Sequence, residues 1–129
     1  MLEIDGSIGE GGGQALRTSL SLSCILGIPV SISNIRASRP KPGLSYQHLE
    51  VANSLAKICG GKVEGAKLGS TSLSFSPGKI LGGNYSFDIK TAGSAVLLAQ
   101  AILPVLLFAK EKSQVLITGG THVSFAPTF

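Results

Sequence analysis

The chain has 129 residues, 43% of them hydrophobic and 14% charged, enough to bury the core of one ordinary globular domain. A net charge of +4 and a sequence pI of about 9.3 make it mildly basic, which suits a polyanionic partner without proving one. With two tyrosines, five phenylalanines and no tryptophan, it is too poor in rings for a stacking platform that reads single-stranded bases. Cys24 and Cys59 both fall in apolar helical patterns and read as buried free thiols of a reducing compartment. No CxxC or Cys/His ligand spacing occurs, which argues against structural zinc. The N-terminus lacks a basic region followed by an apolar run, so no secretory signal is expected. The run from Ala95 to Ala109 is shorter than the ~18–20 residues that cross a bilayer and contains Gln100 and Pro104. It predicts a buried helix, and a soluble, cytoplasmic chain with no membrane partner.

The first element, from Met1 to Asp5, alternates Leu2 and Ile4 with Glu3 and Asp5 and reads as a strand. Gly9-Glu10-Gly11-Gly12-Gly13-Gln14 follows, and Gln14 to Leu26 reads as a helix packed on more than one side. A glycine-rich turn feeding a helix start offers free N–H groups at the positive end of the helix dipole, an arrangement that suits phosphate. Glu10 is out of place there unless a divalent cation bridges carboxylate and phosphate, which makes it a candidate Mg²⁺ or Mn²⁺ ligand. Read blandly, the glycines form a tight turn and Glu10 is solvated. Arg17 opposes the helix dipole at a cost of about 0.3–1 kcal/mol if exposed. An anion held by the glycine loop would justify it, and so would snorkelling or pairing with Glu10 or Asp5.

Gly27 closes the helix, and Val30 to Ile35 reads as the next strand. The segment Arg36-Ala37-Ser38-Arg39-Pro40-Lys41-Pro42-Gly43 carries three cations on a loop stiffened by two prolines. Rigidly presented guanidinium groups bind phosphate oxygens bidentately, so the loop predicts anion binding rather than a merely solvated face. Leu44 to Cys59 reads as the second helix, with Leu44, Val51, Ala52, Leu55, Ile58 and Cys59 on one apolar stripe. His48 falls within that stripe and Gln47 at its edge. Taken alone, His48 reads as a buried histidine satisfied by backbone. Its place at the exit of the basic loop lets Gln47 and His48 reach the same anion.

Lys62 to Leu68 and Thr71 to Ser76 read as two strands, which completes a β-α-β-α-β-β unit over residues 1–78. The order then restarts over residues 79–129: a strand within Ile80 to Lys90, the turn Thr91-Ala92-Gly93-Ser94, the helix from Ala95, and a strand from Val115 to Thr118. Gln100 is the only polar side chain between Ala95 and Ala109 and predicts a buried amide with a backbone or ligand partner. Gly119-Gly120-Thr121-His122 reads as a glycine turn, and Ala126-Pro127 as the start of another element. The second unit is expected to be incomplete.

Taken together, the glycine segment with Arg17, the basic loop through Leu44 with Gln47-His48, Thr91-Ala92-Gly93-Ser94 through Gln100, and Gly119-Gly120-Thr121 with Ala126-Pro127 closely resemble the N-terminal part of the RNA 3′-terminal phosphate cyclases. The resemblance covers essentially the whole chain. It implies an α/β (α+β) fold of repeated β-α-β-α-β-β units, as in the enolpyruvyl transferases, with helices gathered against outer sheets. It also implies a ligase that uses ATP and a divalent metal to convert RNA 3′-phosphate ends to 2′,3′-cyclic phosphates through adenylylated enzyme and RNA.

On the matching positions, the resemblance implies Glu10 as metal ligand, Gln100 beside the nucleotide, and Arg17, Arg36, Arg39, Gln47 and His48 at the RNA terminal phosphate. The family's adenylylated histidine lies far toward the C-terminus, and neither His48 nor His122 matches it. No catalytic nucleophile is therefore expected in this chain, which alone should be inactive. It should self-associate or need a complementing C-terminal chain. The competing expectations are a non-catalytic relative that binds rRNA in ribosome biogenesis, and a small phosphate- or RNA-binding module.

Overall fold

The computed structural model describes residues 1–7, 13–89, 92–119 and 121–125. Two sheets enclose a layer of three helices. The first sheet holds β1 (Leu2–Asp5), β2 (Val30–Ser33), β3 (Lys62–Glu64) and β4 (Leu73–Ser76) in the order β1-β2-β4-β3. The second holds β5 (Gly83–Asp88), β6 (Ser113–Gly119) and β7 (Thr121–Phe125) in that order. Between them lie α1 (Gly13–Leu26), α2 (Tyr46–Cys59) and α3 (Ala92–Leu106), each packed against the other two. The helices pack in common between the two sheets.

The alternation in the strands decides which face each sheet buries. Val30 and Ile32 of β2 and Leu73 and Phe75 of β4 point inward and are buried, while Ser31, Ser33, Ser74 and Ser76 stand on the other face. Phe75 is fully buried at the centre of this face. Phe75→Ala is expected to destabilise the fold by about 3–5 kcal/mol, measured by denaturant unfolding, because the cavity left behind adds to the lost transfer energy. Leu16, Leu20 and Cys24 of α1 and Val51, Ala52, Leu55, Ile58 and Cys59 of α2 complete the core on that side. On α3, Leu98, Ile102, Val105 and Leu106 are buried, with Val115 and Ile117 of β6.

A parallel β-α-β crossover occurs twice along the chain. β1 and β2 pair in parallel across α1, from Leu2↔Val30 to Asp5↔Ser33. β5 and β6 pair in parallel across α3, from Gly83↔Ser113 to Asp88↔Thr118. An antiparallel strand then joins each pair: β4 on β2, and β7 on β6. The two units differ in what supplies that strand. In the first it arrives after α2 and β3. In the second, β7 folds straight back from β6, so Thr121 and His122 lie in a strand rather than in a glycine turn.

Three further local details depart from the sequence reading. The strand expected over residues 62–68 stops at Glu64, because Gly65 and Gly69 take positive φ (+81° and +80°) and turn the chain. The second helix begins at Tyr46, with Ser45 as its N-cap, two residues later than the apolar stripe suggests. The third helix ends at Leu106, three residues short of the apolar run's end at Ala109, with Pro104 in its last turn.

Candidate anion site

Two loops leave the same end of the first sheet, because β1 and β2 are parallel neighbours and each runs from its C-terminal end toward a helix. In open α/β arrangements, the crevice beyond the C-terminal ends of parallel strands is where ligands bind. Asp5 ties the two exits together. Its Oδ1 accepts hydrogen bonds from the Ser7 N–H at 2.9 Å, the Ser7 hydroxyl at 2.6 Å and the Asn34 Nδ2 at 3.2 Å. Those donors, Ser7 foremost, hold the Asp5 carboxyl below its ordinary pKa. On sequence alone Asp5 reads as an outward strand residue or a partner for Arg17. The Asp-x-Ser spacing of an Asx turn was the available signal for its bracing role.

The basic loop is closed on itself and docked on the next turn. The Gly43 N–H donates to the Ile35 carbonyl at 3.0 Å, and the Arg39 N–H to the Arg36 carbonyl at 3.1 Å. The Ile35 N–H bonds Thr71 O, the Leu44 N–H bonds Ser70 O and the Gly69 N–H bonds Leu44 O, all within 3.0 Å. Arg36 sits at φ +51°, a left-handed conformation that costs a non-glycine residue about 1–2 kcal/mol. Its Nη1 donates to the Gly43 carbonyl at 2.9 Å, so the half-buried guanidinium spans the loop it belongs to. Arg39 and Lys41 are exposed on the rim. The rigidity expected from the prolines is thus supplied as much by hydrogen bonds and by Gly43.

His48 occupies the first turn of α2 and is only 2% exposed. The Ser45 N–H donates to its Nδ1 at 3.1 Å, and the Ser45 hydroxyl lies 2.9 Å from the same nitrogen. This is a capping box with histidine where glutamate or glutamine usually stands, three residues after the N-cap serine. The backbone-satisfied reading of His48 is therefore realised. Because Nδ1 accepts the backbone N–H, the neutral ring carries its proton on Nε2. Burial pushes the His48 pKa down to about 4, and the positive charges of Arg36 and Arg17 add to that depression. His48 is neutral at pH 7, and two guanidinium groups from different elements act on it.

Arg17 also faces a second feature. A groove of about 450 Å³ between α1 and α3 is lined by Gln14, Arg17, Thr18 and Ile25 on one side and by Gln100 and Pro104 on the other. The Ser21 hydroxyl donates to the Ala101 carbonyl at 2.8 Å and clips the two helices together at its floor. Gln100 is exposed in this groove, not buried as its lone polarity in an apolar run suggested. The helix turns that position outward, so the amide is free of the desolvation cost that a buried one carries.

The structure thus brings Arg17, Arg36 and His48 together and sets Gln100 across the groove from Arg17. Gln47 is half-buried beside His48 in the first turn of α2. Glu10, Thr91 and the side chain of His122 lie outside the described residues. Among the described residues, no group of three His, Cys, Asp or Glu side chains could hold a metal ion by itself, and no helix is long and apolar enough to cross a membrane.

Comparison with known proteins gives the chain its family. Residues 8–129 match the family model described as RNA 3′-terminal phosphate cyclase. A cyclase of that name from Pyrococcus furiosus is 55% identical over 98% of this chain and 37% of its own length. Those from Methanosarcina mazei and Ralstonia nicotianae are each 52% identical, over 99% and 98% of this chain and 36% of their own lengths. The chain therefore spans somewhat more than a third of the curated relatives it matches. It belongs to the RNA 3′-terminal phosphate cyclase family.

Proposed function

We propose that this chain is the N-terminal part of an ATP-dependent RNA 3′-terminal phosphate cyclase, and that it holds the terminal phosphate of the RNA. The observation that carries this reading is the gathering of Arg17, Arg36 and His48, drawn from α1, the basic loop and α2, beside two strand-to-helix loops. Guanidinium groups supply charge and paired N–H donors to phosphate oxygens. Neutral His48 adds one Nε2–H donor without adding a charge that burial would penalise. Arg39 and Gln47 stand at the rim to contact the same phosphate or the neighbouring sugar.

Glu10 would hold a Mg²⁺ or Mn²⁺ ion with phosphate oxygens completing its shell, the coordination these ions favour. Gln100, with Gln14, would line the nucleotide's place in the groove between α1 and α3. ATP, when bound, supplies the adenylyl group that activates the RNA phosphate toward the adjacent 2′-hydroxyl. His48 is unsuited to carry that group on Nδ1, since the Ser45 cap occupies this nitrogen. The nucleophile would come from the part of the family's length that this chain does not span, so the chain alone should bind without cyclising.

The test is binding of matched oligoribonucleotides ending in 3′-phosphate or 3′-hydroxyl, followed by fluorescence anisotropy. The 3′-phosphate RNA should bind more tightly, and Arg17→Ala should weaken it about tenfold, the worth of a charged hydrogen bond, with little change for 3′-hydroxyl RNA. Equal losses on both RNAs would reduce Arg17 to a nonspecific backbone cation.

A further inference from the structure

Far from the basic loop, at the opposite end of the contact between α1 and α2, two thiols meet. Cys24 follows Arg17 by two turns of α1, and Cys59, the last residue of α2, follows His48 by three. Both are buried and free, and the Cys24 thiol donates to the Cys59 sulfur across 3.7 Å. They come from different helices, 35 residues apart, so no local turn forces the approach.

Their surroundings are unequal. The Cys59 sulfur lies where the chain turns sharply through Gly60, at φ +57°, and against Gly61 and Gly78. A Cβ on Gly61 would stand 2.7 Å from Ser76 O and 3.1 Å from the Cys59 sulfur, and one on Gly78 would stand 2.5 Å from Cys59 O. Glycines there let the backbone close around Cys59. Cys24 instead lines a cavity of about 330 Å³ that also touches Gly78, Lys79 and Lys110 and opens between Leu26 and Phe108, each 63% exposed. A molecule the size of water or peroxide can enter such a space. The donated Cys24 S–H, then the N–H groups of Gly78 and Gly61, draw the Cys59 thiol below its ordinary pKa, while the same contact and burial push Cys24 up.

We propose that Cys59 and Cys24 are a redox-active pair that closes to an intramolecular disulfide when the protein meets a hydroperoxide. One of the two sulfurs, as thiolate, attacks a peroxide oxygen admitted through the cavity beside Cys24. An S–O bond forms, the O–O bond breaks, and the departing hydroxide takes up a proton as water. The other sulfur then attacks the resulting sulfenic acid. The S–S bond forms, the S–O bond breaks, and the second thiol's proton leaves with the hydroxyl as a second water. Two thiols are oxidised and one peroxide is reduced. Closing the bond draws the sulfurs from 3.7 Å to about 2.05 Å and tightens the α1–α2 contact at the end away from Arg17 and His48.

The test is the intact mass and free-thiol count of the folded chain after millimolar hydrogen peroxide, then after dithiothreitol. Loss of both thiols together with a mass lower by two hydrogens, reversed by the reductant, is the expected result. In Cys24→Ser and in Cys59→Ser the bond cannot close, and dimedone should trap the remaining thiol as a sulfenic acid in at least one of them; no adduct in either would overturn the proposal. An unchanged wild-type mass, singly added oxygens, or disulfides formed only between chains would each overturn the proposal. The wild-type measurement decides this even if a serine variant fails to fold.

Discussion

Gly43→Ala is expected to destabilise the fold by about 3 kcal/mol or more and to lower the melting temperature by roughly 10 °C. Two costs combine. Gly43 sits at φ +87°, where a side chain is strained by about 1–2 kcal/mol. A Cβ there would also collide with the backbone of Gly69 and lie 2.8 Å from the Ser70 carbonyl oxygen, so a main chain rather than a flexible side chain must move. That segment is held by the Gly69 N–H to Leu44 O and Leu44 N–H to Ser70 O bonds, so yielding breaks the dock of the basic loop. Gly27→Ala is the control. Gly27 has a similar φ of +68° but nothing within 4 Å of an added Cβ, so it should lose only about 1 kcal/mol of strain. Because the Gly43 carbonyl accepts from Arg36 Nη1, Gly43→Ala should also abolish any preference for 3′-phosphate over 3′-hydroxyl RNA. Equal small losses in the two variants would show that the Gly69 turn relaxes freely and that the loop is not rigidly docked.

The same position shows what could and could not be read from the residues. Proline, glycine and three cations announce a stiff basic loop, and the periodicity of Val30 to Ile35 and of Leu44 to Cys59 places it between a strand and a helix. What stiffens the loop is long-range: Thr71, Ser70 and Gly69 meet it across 25 to 36 positions, from Gly69–Leu44 to Ile35–Thr71, and no local pattern encodes that contact. His48 is legible as buried because it lies in an apolar stripe at helical spacing. Its role as the capping partner of Ser45 hides behind the expectation of glutamate or glutamine at that place. Gln100 misleads for a related reason. A helix apolar nearly all round gives little indication of which face looks outward, and the groove against α1 decides it. The β-α-β repeat is readable because parallel strands need a crossover helix. The return of β7 onto β6 follows from pairing geometry, not from composition.

His48→Gln separates the structural role of this residue from its titration. Glutamine at the third helical position completes a capping box, so its Oε1 should accept the Ser45 N–H that Nδ1 accepts now, and stability at pH 7 should stay within about 1 kcal/mol of the natural chain. Below pH 7 the two should diverge. The unfolded histidine titrates near 6.5 and the folded one near 4, so the unfolded state binds the extra proton first. The stability tied to neutral His48 is therefore complete above pH 6.5, is lost progressively as the pH falls toward 4, and changes no further below that. At about 1.4 kcal/mol per pKa unit, the full loss is about 3.5 kcal/mol. His48→Gln, with nothing to protonate, should flatten that segment of the curve. Asp5 cannot account for the same segment. Its carboxyl is held below an ordinary value of 3.8, so the stability it contributes is lost only at more acid pH. Denaturant midpoints at half-unit steps from pH 7.5 to 4 measure the difference. An unchanged acid slope in His48→Gln would mean that His48 already protonates in the folded state, and that Arg17 and Arg36 do not press on it as their placement requires.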